Sequence, residues 1–303
     1  QAFQSEYSTI SVAKFEDATG GIHAIQEAAL KQMAVSGRDE WQMLSYLARV
    51  NYNYDNRYLL TLTGRIDGSS KFGKNNKYGT FPSAAFAWRA SEEGFLKGNQ
   101  HISNLKLRTS YGIVGNQGIP SYSSLGLLYS TEAYFGNSEI VKGKVPYTRD
   151  NQNLKWETTA QFDVGLDLGL FNNRISFGFD YYHKKTKDLL LSVPFLMHSG
   201  YDRGMQNIGD MENTGYEFTL NMLPVNSSKF TWSSDFMIGF NKNKVTNLSG
   251  ATENLSGEEI LGKKYWTTIT VGKPIGTLYG YKTDGIIQLG EDLSKVASFA
   301  GET

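Results

Sequence analysis

The stretch LSYLARVNYNYDNRYLLTLTGRI, residues 44–66, decides the fold class of this chain. Apolar and polar side chains alternate on both sides of a short polar segment, residues 55–57. Successive strand side chains point to opposite faces, so the pattern predicts a hairpin with one apolar and one mostly polar face. Matching the faces pairs Tyr54 with Tyr58. Both strands exceed the roughly five to six residues of soluble strands and reach the roughly nine to eleven of tilted membrane strands.

The overall composition fits a membrane barrel and excludes several other classes. The 303 residues carry 30 Lys+Arg and 30 Asp+Glu, so no net charge draws the chain toward nucleic acid. Mean hydropathy is -0.39 and no apolar run has the length of a transmembrane helix. The count of Cys is 0, which excludes disulfides, zinc thiolates and cysteine nucleophiles. No signal-peptide pattern opens the sequence, which indicates a mature protein or an internal piece.

The alternation recurs along the chain. It predicts further strands at residues 80–89, 105–113, 156–168, 175–182, 216–222 and 230–240. The clearest, at 156–168, places Trp156 and Leu166 on the apolar side. Asn172 and Asn173 tolerate positive φ and therefore predict the turn that follows it. The sequence thus predicts an all-β fold, a transmembrane antiparallel β-barrel segment.

Connection lengths predict the orientation and the organisation of the chain. Short and long connections alternate, as in barrels with short periplasmic turns and long extracellular loops. We therefore expect one β-barrel domain over residues 1–303, with about eight transmembrane strands in 41–245. Residues 1–40 are interpreted as an extracellular loop with a further strand, and 246–303 as an extracellular loop and another strand. Helical spacing in the first loop predicts a short surface helix through Ile25, Ala28, Ala29, Gln32 and Met33.

Three carboxylates on the polar face are candidate functional residues: Asp163, Asp167 and Asp180. The turn at 172–173 sets Asp180 opposite Gly165, so the other two are its diagonal neighbours at roughly 7–8 Å. That separation would suit the acid and base of an inverting glycosidase. A water-filled barrel also carries charges on its inward positions, so a hydrated lumen wall is the favoured interpretation.

Aromatic side chains in the long loop 115–153 form a second candidate set. The set is Tyr122, Tyr129, Tyr134, Phe135 and Tyr147. Flat rings stack on sugars or bury against a partner protein with little loss of side-chain entropy, so these residues are candidate ligand or lid contacts. Packing of the loop on itself is the alternative interpretation.

The sequence contains no complete motif for binding a cofactor or a metal ion. Gly68, Gly73 and Lys74 resemble part of a phosphate-binding loop, but Asn75 replaces the required Ser or Thr and no helix pattern follows. The four histidines lack ligand-like spacing. The sequence therefore predicts no cofactor, no metal site and no catalytic residue.

Several long motifs carry a family resemblance. They are RYLLTLTGRIDGSSKFGKNNKYGTFPS (57–83), LKLRTSYGIVGNQ (105–117), LKWETTAQFDVGLDLGLFNNRISFGFDYYHKKTKDLL (154–190), NIGDMENTGYEFTL (207–220), FNKNKV (240–245) and VGKPIGTLYGYKTDGI (271–286). In this order they resemble the SusC/RagA family, TonB-linked outer-membrane proteins of the Bacteroidetes. The resemblance implies a barrel of about 22 strands that holds an N-terminal plug. Neither the plug nor the C-terminal barrel strands is recognisable in this sequence.

The resemblance also implies a function and partners. It implies TonB-dependent import of oligosaccharides or peptides across the outer membrane, with a SusD-like surface lipoprotein as lid. The expected partners are this lipoprotein, TonB, outer-membrane lipid and the cargo, without nucleic acid. A passive porin, a siderophore receptor and an outer-membrane hydrolase are the alternatives. Only the hydrolase would lose turnover on Asp180→Asn.

Overall fold

A computed structural model describes residues 2–13, 31–134, 140–248, 254–256 and 267–278. The strands are β1 (Ala2–Ala13), β2 (Lys31–Tyr54), β3 (Tyr58–Ser69), β4 (Tyr78–Arg89), β5 (Ile102–Asn116), β6 (Leu128–Tyr134), β7 (Ile140–Pro146), β8 (Glu157–Leu170), β9 (Ile175–Lys187), β10 (Leu190–Pro194), β11 (Arg203–Asn207), β12 (Asp210–Asn226), β13 (Thr231–Asn247), β14 (Asn254–Ser256), β15 (Thr267–Thr270) and β16 (Thr277–Leu278). Two short 3-10 helices, Ala90–Glu92 and Met197–Ser199, complete the set. Within these ranges no helix is long and apolar enough to cross a membrane.

Nine strands form one antiparallel sheet. Their order is β1-β2-β3-β4-β5-β8-β9-β12-β13, so each strand pairs with its predecessor in the sheet along the chain. The hairpins β6–β7 and β10–β11 are separate two-stranded sheets within the connections at one end. This end is called the loop end below, and the end with the short connections is called the turn end. An up-and-down order of this kind is that of a barrel wall.

The hairpin β2–β3 confirms the predicted register. Tyr54 pairs with Tyr58, and Val50 pairs with Leu62. Asp55 and Asn56 adopt positive φ values of 51° and 57°. The side chain of Asn53 closes the turn, since its Oδ1 accepts the N–H of Asn56 at 3.0 Å. Asx turns of this kind explain why polar residues fill the connection.

The hairpin β8–β9 also has the register that the sequence predicts. Gly165 pairs with Asp180, and Leu170 pairs with Ile175. Positive φ occurs at Asn172 and Asn173, as predicted, and also at Phe171. Three consecutive residues of the four-residue turn therefore have positive φ.

One face of the sheet is apolar across eight strands. Its cross-strand pairs include Leu62 with Ala84 in β3–β4 and Tyr111 with Phe162 in β5–β8. Many of these side chains remain exposed, among them Tyr46 at 61% and Phe236 at 58%. A soluble protein rarely exposes a contiguous apolar surface of this extent, so this face is suited to lipid.

A compact core lies at the loop end. It consists of Phe72, Phe81, Ile119, Leu154 and Trp156, all at most 7% exposed. The rings of Phe72 and Trp156 are 4.7 Å apart, and the indole N–H of Trp156 donates to the carbonyl of Lys77 at 3.0 Å. The placement of Trp156 on the outward apolar face was wrong. Trp156 precedes the first residue of β8, so strand alternation does not fix the direction of its side chain.

The long strand β2 corrects a second expectation. Its 24 residues pair with β3 over Met43–Tyr54 and with β1 over the preceding half. Gln32 and Met33 therefore lie in a strand, and the predicted surface helix does not include them. Ladder hydrogen bonds to β1 satisfy the backbone there, so pairing overrides the helical spacing. The other residues of that helix, Ile25, Ala28 and Ala29, lie outside the described residues.

Candidate functional site in the wall and at the loop end

A row of paired residues crosses the polar face of the wall. Arg108 of β5 pairs with Gly165 of β8, and Gly165 pairs with Asp180 of β9. Because Gly165 has no side chain, the guanidinium of Arg108 can pass over it toward Asp180. A Cβ at Gly165 would come within 2.8 Å of Asp180 Oδ1 and closer still to the guanidinium. The glycine thus permits an ion pair between strands that are not neighbours.

Arg108 joins two of the predicted carboxylates. Its Nη1 lies 2.6 Å from Asp180 Oδ1, and its Nη2 donates to Asp180 Oδ2 at 2.8 Å. Its Nε lies 3.3 Å from Asp167 Oδ2, and Lys106 Nζ lies 3.6 Å from the same atom. Two-point geometry is the strong form of the arginine–carboxylate pair. About a third of each of these side chains is exposed, so the group is partly hydrated.

The third carboxylate, Asp163, is held by neutral donors. Ser110 Oγ donates to its Oδ2 at 3.0 Å, and Gln161 Nε2 donates to its Oδ1 at 2.6 Å. The three predicted aspartates therefore lie on one polar face, where Asp167 and Asp180 share Arg108 and Asp163 has partners of its own. Among the residues that the structure describes, no group of three His, Cys, Asp or Glu could hold a metal ion.

An open cavity of about 500 Å³ lies at the loop end. Trp41, Lys71, Lys74, Lys77 and Tyr122 are among its lining residues. Lys71 Nζ lies 5.0 Å from the centre of the Trp41 ring, within the range of a cation–π contact. The hydroxyl of Tyr122 accepts the N–H of Glu40 at 3.0 Å, and Tyr122 has a positive φ of 64°. A bulky residue in this conformation indicates local strain that the surrounding contacts must hold.

The five predicted loop aromatics do not form one cluster. Tyr129 and Tyr147 come together with ring centres 6.2 Å apart, and both are exposed. Tyr122 lines the cavity instead. Tyr134 is the last residue of β6 and pairs with Ile140, while Phe135 lies outside the described residues.

Sequence reasoning missed Arg108, Trp41 and Lys71 as candidate functional residues. Arg108 could have been found, because its place on the polar face of its strand is evident from the alternation. The partner of Arg108, Asp180, could not have been predicted, because a long loop joins β5 and β8 and no tight turn fixes the register between them. Trp41 and Lys71 meet only through the folding of the loop end.

A cluster of donors surrounds Glu93 at the turn end. The hydroxyl of Tyr58 donates to Glu93 Oε1 at 2.7 Å, and the indole N–H of Trp88 donates to the same atom at 3.1 Å. Arg57 Nη1 donates to Glu93 Oε2 at 3.0 Å. These contacts hold the pKa of Glu93 below its ordinary value, with the Tyr58 hydrogen bond as the largest cause. Glu93 thereby fixes two polar-tipped aromatics at the boundary of the apolar face, where a membrane interface would lie.

Comparison with known proteins assigns this wall to a family. Residues 15–299 match the family described as TonB dependent receptor-like, beta-barrel. The chain belongs to this family of TonB-dependent receptor barrels. Its sheet is therefore part of an outer-membrane barrel, and the apolar face meets lipid. In barrels of this kind the long loops are extracellular and the short turns are periplasmic, so we expect the loop end to be the extracellular one.

Related proteins refine the assignment within TonB-dependent receptors. TonB-dependent receptor P3 of Formosa agariphila is 38% identical over 306 residues, which cover 100% of this chain and 30% of that protein. TonB-dependent receptor SusC of Bacteroides thetaiotaomicron is 41% identical over 216 residues, which cover 70% of this chain and 22% of that protein. The SusC/RagA resemblance is thereby confirmed.

Solved structures agree with the sequence relatives. The structure of the RagAB peptide transporter has a TM-score of 0.71 at 28% identity, covering 80% of this chain and 26% of that one. The RagAB peptide importer in its closed-closed state has a TM-score of 0.72 at 26% identity, covering 90% and 30%. The chain thus spans less than a third of each of these four proteins, and it is a SusC/RagA-like partial barrel.

Proposed function

We propose that this chain is part of the wall of a TonB-dependent importer that moves oligosaccharides or peptides across the bacterial outer membrane. A SusD-like surface lipoprotein would close over the extracellular end, and TonB would supply the energy through the plug. The observation that carries the proposal is the match to SusC at 41% identity together with the likeness to a peptide importer at a TM-score of 0.72.

The polar wall suits a passage for hydrated cargo and a surface for a plug. Arg108, Asp167 and Asp180 bind one another, so their charges are fixed in position and partly satisfied. The remaining hydrogen-bonding capacity of these groups faces the lumen. A wall of this kind binds water and polar surfaces without a single deep binding pocket.

The loop end suits contact with the cargo or with the lid. The exposed rings of Tyr129 and Tyr147 offer a flat apolar surface on the β6–β7 hairpin and the segment that follows it. The cavity beside Trp41 and Tyr122 offers an aromatic wall with a lysine over it. Aromatic surfaces bind both sugar rings and peptide side chains, so neither cargo class is preferred by these contacts.

An enzyme is not supported by the carboxylate geometry. An inverting glycosidase needs room for a water and a sugar between its two carboxyl groups. Here the guanidinium of Arg108 lies between Asp167 and Asp180 and donates to both. The proposed protein has no catalytic residue and needs no cofactor.

An uptake assay tests the proposal. Cells that express the full-length protein, cells without it and cells without TonB would receive fluorescent oligosaccharide and oligopeptide mixtures, with and without a proton uncoupler. We expect uptake of one mixture only in cells that have both proteins, and loss of that uptake on uncoupling. Uptake that persists without TonB or with the uncoupler would contradict the proposal and would favour a passive porin. Turnover of the mixture by the purified protein, lost in Asp180→Asn, would favour a hydrolase.

A further inference from the structure

Four lysines share the lipid-side face of the wall beyond its apolar band. Lys185 and Lys187 of β9 stand four and six residues beyond Tyr181, and Lys242 and Lys244 of β13 stand two and four residues beyond Phe240. Even spacing along a strand keeps side chains on one face, so these lysines point outward with the two aromatics. This set of four lysines is called the basic patch.

Cross-strand pairing sets the height of the basic patch. Tyr181 pairs with Tyr216, which pairs with Phe240, and this row of rings is the last outward aromatic row on β9, β12 and β13 before the extracellular end. On the adjacent strand β8, Phe162 lies one row farther out, where it pairs with His183. The rings of Tyr181 and Tyr216 are 5.2 Å apart. Two strand residues rise about 7 Å, so the basic patch lies about 7 to 20 Å beyond this row. Aromatic rows mark the edge of the hydrocarbon region, and the basic patch therefore lies at the depth of the lipid headgroups.

The positive charge of the basic patch is largely unbalanced. Lys185 Nζ lies 3.2 Å from Glu212 Oε1, on the strand between the two pairs of lysines. Within the described ranges, Lys187, Lys242 and Lys244 form no ion pair, and all three are exposed. Asp210, the other acid near this end of β12, accepts the N–H of Asp188 at 3.2 Å.

The rest of the outward face makes the basic patch local. On β2–β4 the outward positions next to the apolar band hold uncharged residues, among them Leu44, Ile66 and Thr80. Farther out on β2, the charge of Arg38 is balanced by Glu6 and Glu40. His183, one row below Lys185, is engaged by Thr214, with Nδ1 and Oγ1 2.8 Å apart. The lysines thus form a confined cationic surface on β9–β13 and do not continue around the wall.

We propose that the basic patch binds the phosphate groups of lipopolysaccharide in the outer leaflet. Ammonium groups suit phosphate as point charges, and their long apolar stems lie along the wall while the charges reach the headgroups. The proposal rests on the outer-membrane placement of the family and is independent of the cargo. Each lysine near an anionic lipid surface contributes about 1 kcal/mol, so three unpaired lysines predict a loss of about 100-fold in affinity when neutralised.

The test uses the full-length protein in nanodiscs that contain either lipid A or enzymatically dephosphorylated lipid A. Bound lipid is counted by native mass spectrometry for wild type, for the triple variant Lys187→Gln/Lys242→Gln/Lys244→Gln, and for the corresponding triple arginine variant. The matched control is Lys71→Gln/Lys74→Gln/Lys77→Gln, which removes the same charge from the extracellular cavity. We expect wild type, the arginine variant and the control to retain lipid A, and the glutamine variant to lose it. Dephosphorylated lipid A should be retained poorly by all proteins.

Three results would overturn the proposal. Equal retention of lipid A by wild type and the glutamine variant would remove the basic patch as its site. Retention of dephosphorylated lipid A by wild type as strong as that of lipid A would show that the phosphate groups are not what is bound. If the glutamine variant retains lipid A but loses a copurifying protein, the basic patch binds a protein partner and not the lipid. If the triple glutamine variant fails to assemble, the single variants Lys187→Gln, Lys242→Gln and Lys244→Gln are measured in its place, each with an expected loss of about fivefold in affinity. Cargo uptake is measured separately, so failure here leaves the proposed import function intact.

Discussion

The guanidinium of Arg108 reaches across Gly165 to form a two-point ion pair with Asp180, two strands away in the sheet. The pair ties β5 to β9 through side chains, while β8 lies between them and joins both through the backbone. Asp167 binds the other edge of the same guanidinium. The polar wall therefore has a side-chain clamp in addition to its ladder hydrogen bonds.

Arg108→Ala is expected to destabilise the barrel modestly. The side chains are about one-third exposed, so we expect about 1 kcal/mol from the loss of the pair, with the double variant Arg108→Ala/Asp180→Ala closer to the single variants than to their sum. The change in the free energy of unfolding is measured by urea unfolding of the full-length protein in detergent, with heat-modifiable electrophoretic mobility as the readout. Asp235→Asn is the control, because this carboxylate of the same face forms no ion pair within the described ranges. Additive effects of Arg108→Ala and Asp180→Ala would contradict the clamp.

Gly165→Ala tests whether the missing side chain at Gly165 is what allows the Arg108 guanidinium to reach Asp180. The new methyl group would meet the guanidinium of Arg108, so the pair with Asp180 must shift or open. We expect a loss of stability that becomes smaller in the Arg108→Ala background, because the guanidinium is then absent while the close approach to Asp180 Oδ1 remains. Gly178→Ala on the same polar face is the matched control, since within 4 Å its Cβ would meet only Thr219 Cβ, at an ordinary contact distance of 3.6 Å. An equal cost of Gly165→Ala in both backgrounds would show that the glycine serves the backbone and not the arginine.

Substitutions to aspartate separate the two faces of β8. Phe162→Asp and Leu166→Asp place a charge in lipid, at a cost of about 1–2 kcal/mol, and should lower the amount of assembled barrel. Gln161→Asp should be tolerated, because this position faces the lumen and pairs with Lys184. The yield of heat-modifiable protein in isolated outer membranes gives the answer. Equal yields for all three variants would contradict the assignment of faces.

The Glu93 cluster predicts a dependence on acid. The pKa of Glu93 is lower in the folded protein than in the unfolded chain, mainly through the Tyr58 hydrogen bond. Its contribution is therefore complete above the unfolded value, about 4.3, and is lost as pH falls through the lower folded value. Unfolding midpoints measured between about pH 6 and 3 should fall more for wild type than for Glu93→Gln. Parallel curves for the two proteins would mean that Glu93 titrates as an ordinary carboxyl group.

Local pattern predicted the parts of the fold that short turns control. The pairing of Tyr54 with Tyr58 and of Gly165 with Asp180 follows from two facts, that side chains alternate and that a tight turn fixes the register. The position of the aspartates on one polar face follows from the same facts. The sequence therefore sufficed to place these carboxylates, though not to find their arginine.

The features that the sequence pattern did not predict depend on contacts between residues that are distant in the chain. Arg108 contacts Asp180, 72 residues later in the sequence. A long loop joins β5 and β8, so the alternation of side chains does not by itself fix the register between these two strands. Trp156 is buried because the loop after β3 folds back over it, which no pattern around Trp156 indicates. The upper half of β2 is a strand because β1 pairs with it. In each case the deciding contact is distant in sequence.

The composition of the complex tests the central claim most directly. Full-length protein would be extracted from outer membranes in a mild detergent, and its intact assembly weighed by native mass spectrometry with identification of each component. We predict an assembly of the barrel protein, itself much longer than 303 residues, with a surface lipoprotein in equal number. A barrel protein that is recovered alone, without a lipoprotein under any extraction condition, would contradict the assignment to an importer with a lid.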